Sequence, residues 1–215
     1  VGTLESGVPY IVLEYLEGSD FDSVVRVHGA LPYARAIALV LQACEALAEA
    51  HALGIVHRDI KPHNLFLTTG VGGADLVKVL DFGIAKSINS FGGGVLTRTD
   101  SSVGSPLYMS PEQMRSPRDV DLRTDIWSMG VTLYEIIAGR PPFDAESFPE
   151  LVLKVQEAQV VPLSVVRPDV PTALSDVIGR CLRRDPRERF EDVGALATAL
   201  EPFTWPDARS SAENA

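Results

Sequence analysis

The chain has 215 residues, 46% of them hydrophobic and 22% charged, with a formal net charge of −10. That balance suits one domain around one core, and the acidic surface argues against nucleic acid or anionic membrane as the main partner, because phosphate-rich surfaces attract basic proteins. No apolar run reaches the ~20 residues of a membrane helix, no signal peptide is visible, and Cys44 and Cys181 sit in apolar helical patterns as free thiols of a reducing, cytoplasmic compartment.

In chain order, Val8–Tyr15 (VPYIVLEY) follows the turn-like Glu5-Ser6-Gly7 and reads as a strand, and its continuous apolar character predicts burial on both faces. The first residue is Val1, so the native start is expected upstream. A short helix is expected over Phe21–Val27, and Pro32 stands where a second helix begins. Beyond it Ile37, Val40, Leu41, Cys44, Leu47, Ala48 and His51 recur at spacings of three and four, one buried stripe with His51 as a core histidine, and Gly54 ends the helix. Leu65–Leu67 and Val77–Leu80 read as short strands joined by a Gly-rich turn, and the polar residues 87–104, with Gly92-Gly93-Gly94, read as a loop. Ile126–Ala138 is apolar almost all round, which predicts a helix buried on every side. After Pro141-Pro142, helices are expected near Phe148–Glu157, Ala173–Leu182 and Asp192–Leu200, and the residues from Pro206 are small and polar.

The residues that carry chemistry are concentrated. His57-Arg58-Asp59-Ile60-Lys61-Pro62-His63-Asn64 is followed by Asp81-Phe82-Gly83 and then by Ser110-Pro111-Glu112. Moving a phosphoryl group from a metal-bound triphosphate requires oxygen ligands for Mg2+, a cation beside the moving group, and an acceptor that orients the attacking hydroxyl. Asp59, Lys61 and Asn64 on one turn, with Asp81 at a neighbouring strand end, offer each of these. At ~5% per residue type, His57, Arg58, Asp59, Lys61 and Asn64 would coincide in a given window about three times in ten million.

This set resembles the protein kinase superfamily, and within it the bacterial Hanks-type serine/threonine kinases. Asp125-Ile126-Trp127-Ser128-Met129-Gly130 and Arg189 match further signatures, and the likeness runs from about Val8 to Leu200. The resemblance implies an α+β, protein-kinase-like fold over residues 1–203, a mainly helical C-lobe with a remnant of the N-lobe β-sheet, and a tail or linker start at 204–215. It implies transfer of the ATP γ-phosphoryl group to protein Ser or Thr hydroxyls, with ATP and Mg2+ as cofactors. Asp59 would be the base that orients the hydroxyl, Lys61 would touch the γ-phosphate, and Asn64 and Asp81 would hold Mg2+. Beside Leu13 as gatekeeper, the Glu14 carbonyl and Leu16 amide would meet adenine. Asp20 would accept from a ribose hydroxyl, Phe66 would floor the base, and Ser105 would bond Asp59 and Lys61 in the substrate pocket. His57 and Phe82 would pack in the spine joining the lobes, Asp125 would hold backbone amides of the catalytic loop, and Glu112 would pair with Arg189. Arg58, directly before the base, implies activation by loop phosphorylation, since a guanidinium suits a phosphate. Thr97 and Thr99 resemble paired autophosphorylation sites, with dimerisation as a route to them.

The Gly-rich phosphate loop, strand lysine and helix glutamate of a kinase are not recognisable in the chain. These residues alone are therefore expected to transfer little phosphate and to expose an apolar strand edge. A pseudokinase or adaptor that works by binding is a second reading, and a non-functional gene fragment a third. Retention of Asp59, Lys61, Asn64 and Asp81 favours an active kinase. The four histidines lack a Cys or carboxylate cluster at ligand spacing, so zinc is not expected, and His63 reads as a solvated side chain.

Overall fold

The computed structural model describes residues 2–4, 6–10, 12–82, 105–116 and 120–204. Thr97, Thr99, Gly83, the Gly92–Gly94 run and the tail from Pro206 lie outside them, as does the side chain of Ser105. At the N-terminal edge, β1 (Gly2–Thr3) and β2 (Pro9–Tyr10) pair antiparallel. The strand expected over Val8–Tyr15 is thus much shorter, and its burial is not found: Val12 is 76% exposed, Leu13 75% and Tyr15 86%. An apolar run is covered only where neighbouring strands and layers meet it, and among the described residues 12–17 belong to no strand.

A three-stranded antiparallel sheet follows, in the order β3 (Gly18–Asp20), β4 (Leu65–Thr69) and β5 (Asp75–Val79). The register sets Asp20 opposite Phe66 and Phe66 opposite Lys78. Gly-Ser-Asp is poor strand material and gave no sequence signal, yet the backbones close tightly here. A Cβ on Gly18, at φ 149, would stand 2.1 Å from the Leu67 carbonyl oxygen. Asp20 then caps α1 (Phe21–His28), its Oδ1 accepting from the Ser23 amide at 2.7 Å. α2 (Tyr33–Ala52) starts after Pro32 and buries Ile37, Leu39, Val40, Ala43, Cys44 and Leu47; of the expected stripe, Leu41 is only partly buried and Ala48 is exposed. It ends at Ala52, and Gly54 at φ 74 turns the chain.

Beyond α3 (Pro111–Arg115) the body is organised around α4 (Arg123–Ala138), in which every residue from Thr124 to Tyr134 is buried. α5 (Phe148–Glu157), α6 (Leu163–Val166), α7 (Thr172–Cys181) and α8 (Val193–Leu200) contribute to the same core. The short helices α3 and α6 escape sequence reading because each offers less than two turns of periodicity. Gly130 lets α7 approach α4, since a Cβ there would lie 2.5 Å from the Cys181 Cβ. Cys44 and Cys181 are buried free thiols, and burial pushes Cys44 up to about 12. Among the described residues no helix is long and apolar enough to cross a membrane. The result is a mostly helical body carrying a small antiparallel sheet, the α+β class expected.

Candidate active site

Residues 57–64 lead from the end of α2 to β4, closing in a 3-10 turn at Pro62–Asn64. Asp125, fully buried in the first turn of α4, holds this loop by its backbone. Its Oδ1 accepts from the Arg58 amide at 2.7 Å, and its Oδ2 from the His57 amide and from His51 Nε2, each at 2.8 Å. A carboxylate only accepts, so His51 donates through Nε2. These bonds secure Arg58 at φ 65, a left-handed conformation that costs a residue with a β-carbon about 1–2 kcal/mol. From the other side, Gln113 Nε2 donates to the Arg58 carbonyl at 2.7 Å.

The side chains that follow converge on one carboxylate. Lys61 Nζ donates to Asp59 Oδ2 at 2.9 Å, and Asn64 Nδ2 donates to the same oxygen at 3.2 Å and to the Asp59 carbonyl at 2.7 Å. The Leu80 amide donates to the Asn64 carbonyl at 2.8 Å, which brings the next residue, Asp81, alongside the turn at φ 52 with an exposed side chain. His57 ties the two segments together. Its Nε2 donates to the Leu80 carbonyl at 2.8 Å, and its Nδ1 accepts from the Asp59 amide at 3.2 Å, so the ring is the neutral Nε2–H tautomer. Burial pushes His57 below its ordinary value, opposed by the Leu80 carbonyl and by the carboxylates of Asp125, Asp59 and Asp81. All three acids therefore share the neighbourhood of one ring, which also packs on Phe82 with centroids 4.7 Å apart.

The expected nucleotide residues gather around the small sheet. Asp20 faces Phe66 across β3 and β4, and Lys78, opposite Phe66 on β5, bonds the Glu14 carboxylate. Leu16 is partly buried in the connecting segment, where Thr68 Oγ1 donates to the Glu17 carbonyl at 2.6 Å. Both Asp20 carboxylate oxygens already accept from Ser23, Oδ1 from its amide at 2.7 Å and Oδ2 from its hydroxyl at 3.3 Å. A cavity of about 570 Å3 lies elsewhere, lined by residues that include Pro32, Tyr33, Arg167 and Phe203, and none of its lining residues is a site candidate.

Ser105 opens a 3-10 turn through Tyr108. Ser128 Oγ donates to the Tyr108 carbonyl at 2.8 Å, and Tyr108 Oη donates to Glu135 at 2.7 Å. Burial pushes the Glu135 carboxyl above the usual range, although the Tyr108 bond opposes it. Arg189 Nη1 and Nη2 donate to the two Glu112 oxygens at 2.6 and 2.8 Å, the pairing expected. Among the described residues no acidic side chain meets the Arg58 guanidinium.

Two residues that touch the loop's support escaped sequence reading. Gln113 did carry a signal, because Ser110-Pro111-Glu112-Gln113 forms a capping box. Ser110 Oγ accepts from the Gln113 amide at 3.2 Å and Gln113 Oε1 accepts from the Ser110 amide at 3.4 Å, which frees Nε2 for Arg58. His51 carried no signal beyond its place on an apolar stripe.

Comparison with known proteins points the same way. The protein kinase domain pattern matches residues 4–200. Serine/threonine-protein kinase Pkn1 of Myxococcus xanthus is 39% identical over 204 residues, covering 95% of this chain and 29% of that protein. Serine/threonine-protein kinase PknB of Mycolicibacterium smegmatis is 36% identical over 193 residues, covering 90% and 30%. The chain thus spans about three tenths of the length of the curated relatives it matches. Among solved structures, the Rad53 kinase domain with SCD2 in complex with AMPPNP superposes with a TM-score of 0.69 at 25% identity, covering 90% of this chain and 70% of that one. Motif order, the tethered loop and the family pattern coincide over the same residues, and the chain belongs to the protein kinase family.

Proposed function

We propose that this chain is the catalytic portion of a serine/threonine protein kinase, which transfers the γ-phosphoryl group of ATP to a hydroxyl of a protein substrate. The observation that carries this reading is the shared carboxylate: Lys61 and Asn64 both donate to Asp59 Oδ2, and Asp81 follows the residue that bonds Asn64. Asp59 orients the attacking hydroxyl and accepts its proton. Lys61, seated beside it, offsets charge on the moving phosphoryl group. Asn64 spends its nitrogen on Asp59, leaving Oδ1, with the Asp81 carboxylate, as hard oxygen donors that suit Mg2+ with several waters retained. Asn64 and Asp81 would hold the ion, which would supply positive charge against that of the triphosphate.

Glu14 and Leu16 through their backbones, with Asp20 and Phe66, are the proposed nucleotide contacts, a reading favoured by the AMPPNP complex of the Rad53 neighbour. Ser105 belongs to the protein-substrate pocket. Arg58, lacking an acidic partner among the described residues, is the proposed receiver of phosphate from Thr97 or Thr99, added by a second copy of the kinase.

The test uses the full-length protein. Asp59→Asn should lower turnover by about 100- to 10,000-fold while nucleotide affinity stays within about twofold. Undiminished turnover would reject Asp59 as the base. Nucleotide binding without any phosphate transfer by the unsubstituted protein would favour the binding-module reading instead.

A further inference from the structure

We infer, on the phosphotransfer reading above, that His51 is a positioning residue: acting through Asp125, it holds the backbone of His57 and Arg58 in the shape that presents Asp59. His51 lies near the C-terminus of α2, and its side chain is 5% exposed. A leucine on that apolar stripe would bury at no polar cost. The imidazole instead places Nε2 2.8 Å from Asp125 Oδ2 and leaves Nδ1 buried with no partner among the described residues. An orphaned buried acceptor costs about 1–3 kcal/mol. The ring therefore does not sit there to satisfy itself, and the bond to Asp125 is what offsets the loss.

The geometry shows what that bond does. Asp125 receives two donors from adjacent amides, His57 and Arg58, on one short loop. The carboxylate of an aspartate turns easily, because its terminal torsion is broad. Two donors from the same loop can move together with the carboxylate. A third donor from α2, an element that does not belong to the loop, fixes the plane of the group. His51 thereby ties α2 to α4 and, through one carboxylate, to an arginine held at φ 65 immediately before Asp59. Gln113 secures the carbonyl of that same residue from the opposite side, so the peptide is clamped at both ends.

Amide hydrogen exchange reads this tether directly, whether or not phosphate is transferred. In the full-length protein, His51→Leu should speed exchange at the His57 and Arg58 amides about tenfold or more, with the amides of residues 126–137 unchanged. His51→Gln should restore protection to within about twofold, because its Nε2 occupies the same reach as the imidazole Nε2. Turnover should fall with Leu and recover with Gln, while KM for nucleotide moves much less. Unchanged protection in His51→Leu would overturn the inference, and so would equal loss in Leu and Gln, which would make ring packing the cause. Should His51→Leu not fold, His51→Asn takes its place, its amide nitrogen standing at the Nδ1 position and out of reach of Asp125. If the variants give this exchange pattern while the unsubstituted protein transfers no phosphate, the phosphotransfer reading falls and the tether stands.

Discussion

Replacing Glu112 by glutamine should cost the protein about 3–5 kcal/mol, because it strands a guanidinium in the interior. The Arg189 side chain is 0% exposed and that of Glu112 only 18%. Besides the two Glu112 oxygens, Arg189 donates to the carbonyls of Arg183 at 2.8 Å, Arg123 at 2.9 Å and Arg184 at 3.3 Å, and lies 5.0 Å from the Trp127 ring centre. Glutamine preserves the shape and one acceptor but removes the countercharge, and carbonyl dipoles with an indole face do not balance a full positive charge. Arg189→Met errs the other way, removing a donor from three carbonyls and leaving a carboxylate that still reaches water. The double variant removes both charges, so its loss should fall short of the sum of the two singles by about 2 kcal/mol or more. For a domain of this size each kcal/mol moves Tm by about 2–4 °C, so Glu112→Gln should lower it by about 6–20 °C. Urea unfolding followed by circular dichroism measures all three variants. A loss below about 1 kcal/mol for Glu112→Gln, or strict additivity in the double variant, would refute the claim that charge, and not packing, fastens this segment to the body.

His57 sets a pH dependence. Its folded-state value lies below the ordinary 6.5, so the unfolded chain takes up the proton first. Its contribution to stability is complete above about pH 6.5 and declines as pH falls from there toward the folded value. Unfolding midpoints between about pH 5 and 8 should show that decline, and His57→Phe should flatten it; a slope indifferent to the substitution would assign it to another group. Mass spectrometry of the active full-length protein should find phosphate on Thr97 and Thr99, and phosphate confined to other positions would reject Arg58 as their receiver.

α2 and α4 were legible in the sequence because a 3.6-residue stripe, or its all-round version, records burial without reference to a particular neighbour. The 57–64 loop was legible for a different reason: the phosphoryl transfer proposed for it would demand specific side chains at tight spacing, and chance rarely supplies them. Val8–Tyr15 was misjudged because an apolar run states only that burial would be favourable. Whether it happens depends on a partner strand, and residues 12–17 have none among the described residues. Gly18–Asp20 failed in the opposite sense, a strand made by its ladder to β4 and not by its own propensity.

What the sequence by itself determined is the helical body, the order of the motifs and the identity of the carboxylates. Only the tertiary structure decided that Gln113 reaches the 57–64 loop, gripping Arg58 across 55 residues, and that His51 grips Asp125 across 74. A hydrogen bond closed over such a separation depends on the relative placement of whole helices, and it leaves no periodic trace in the order of residues.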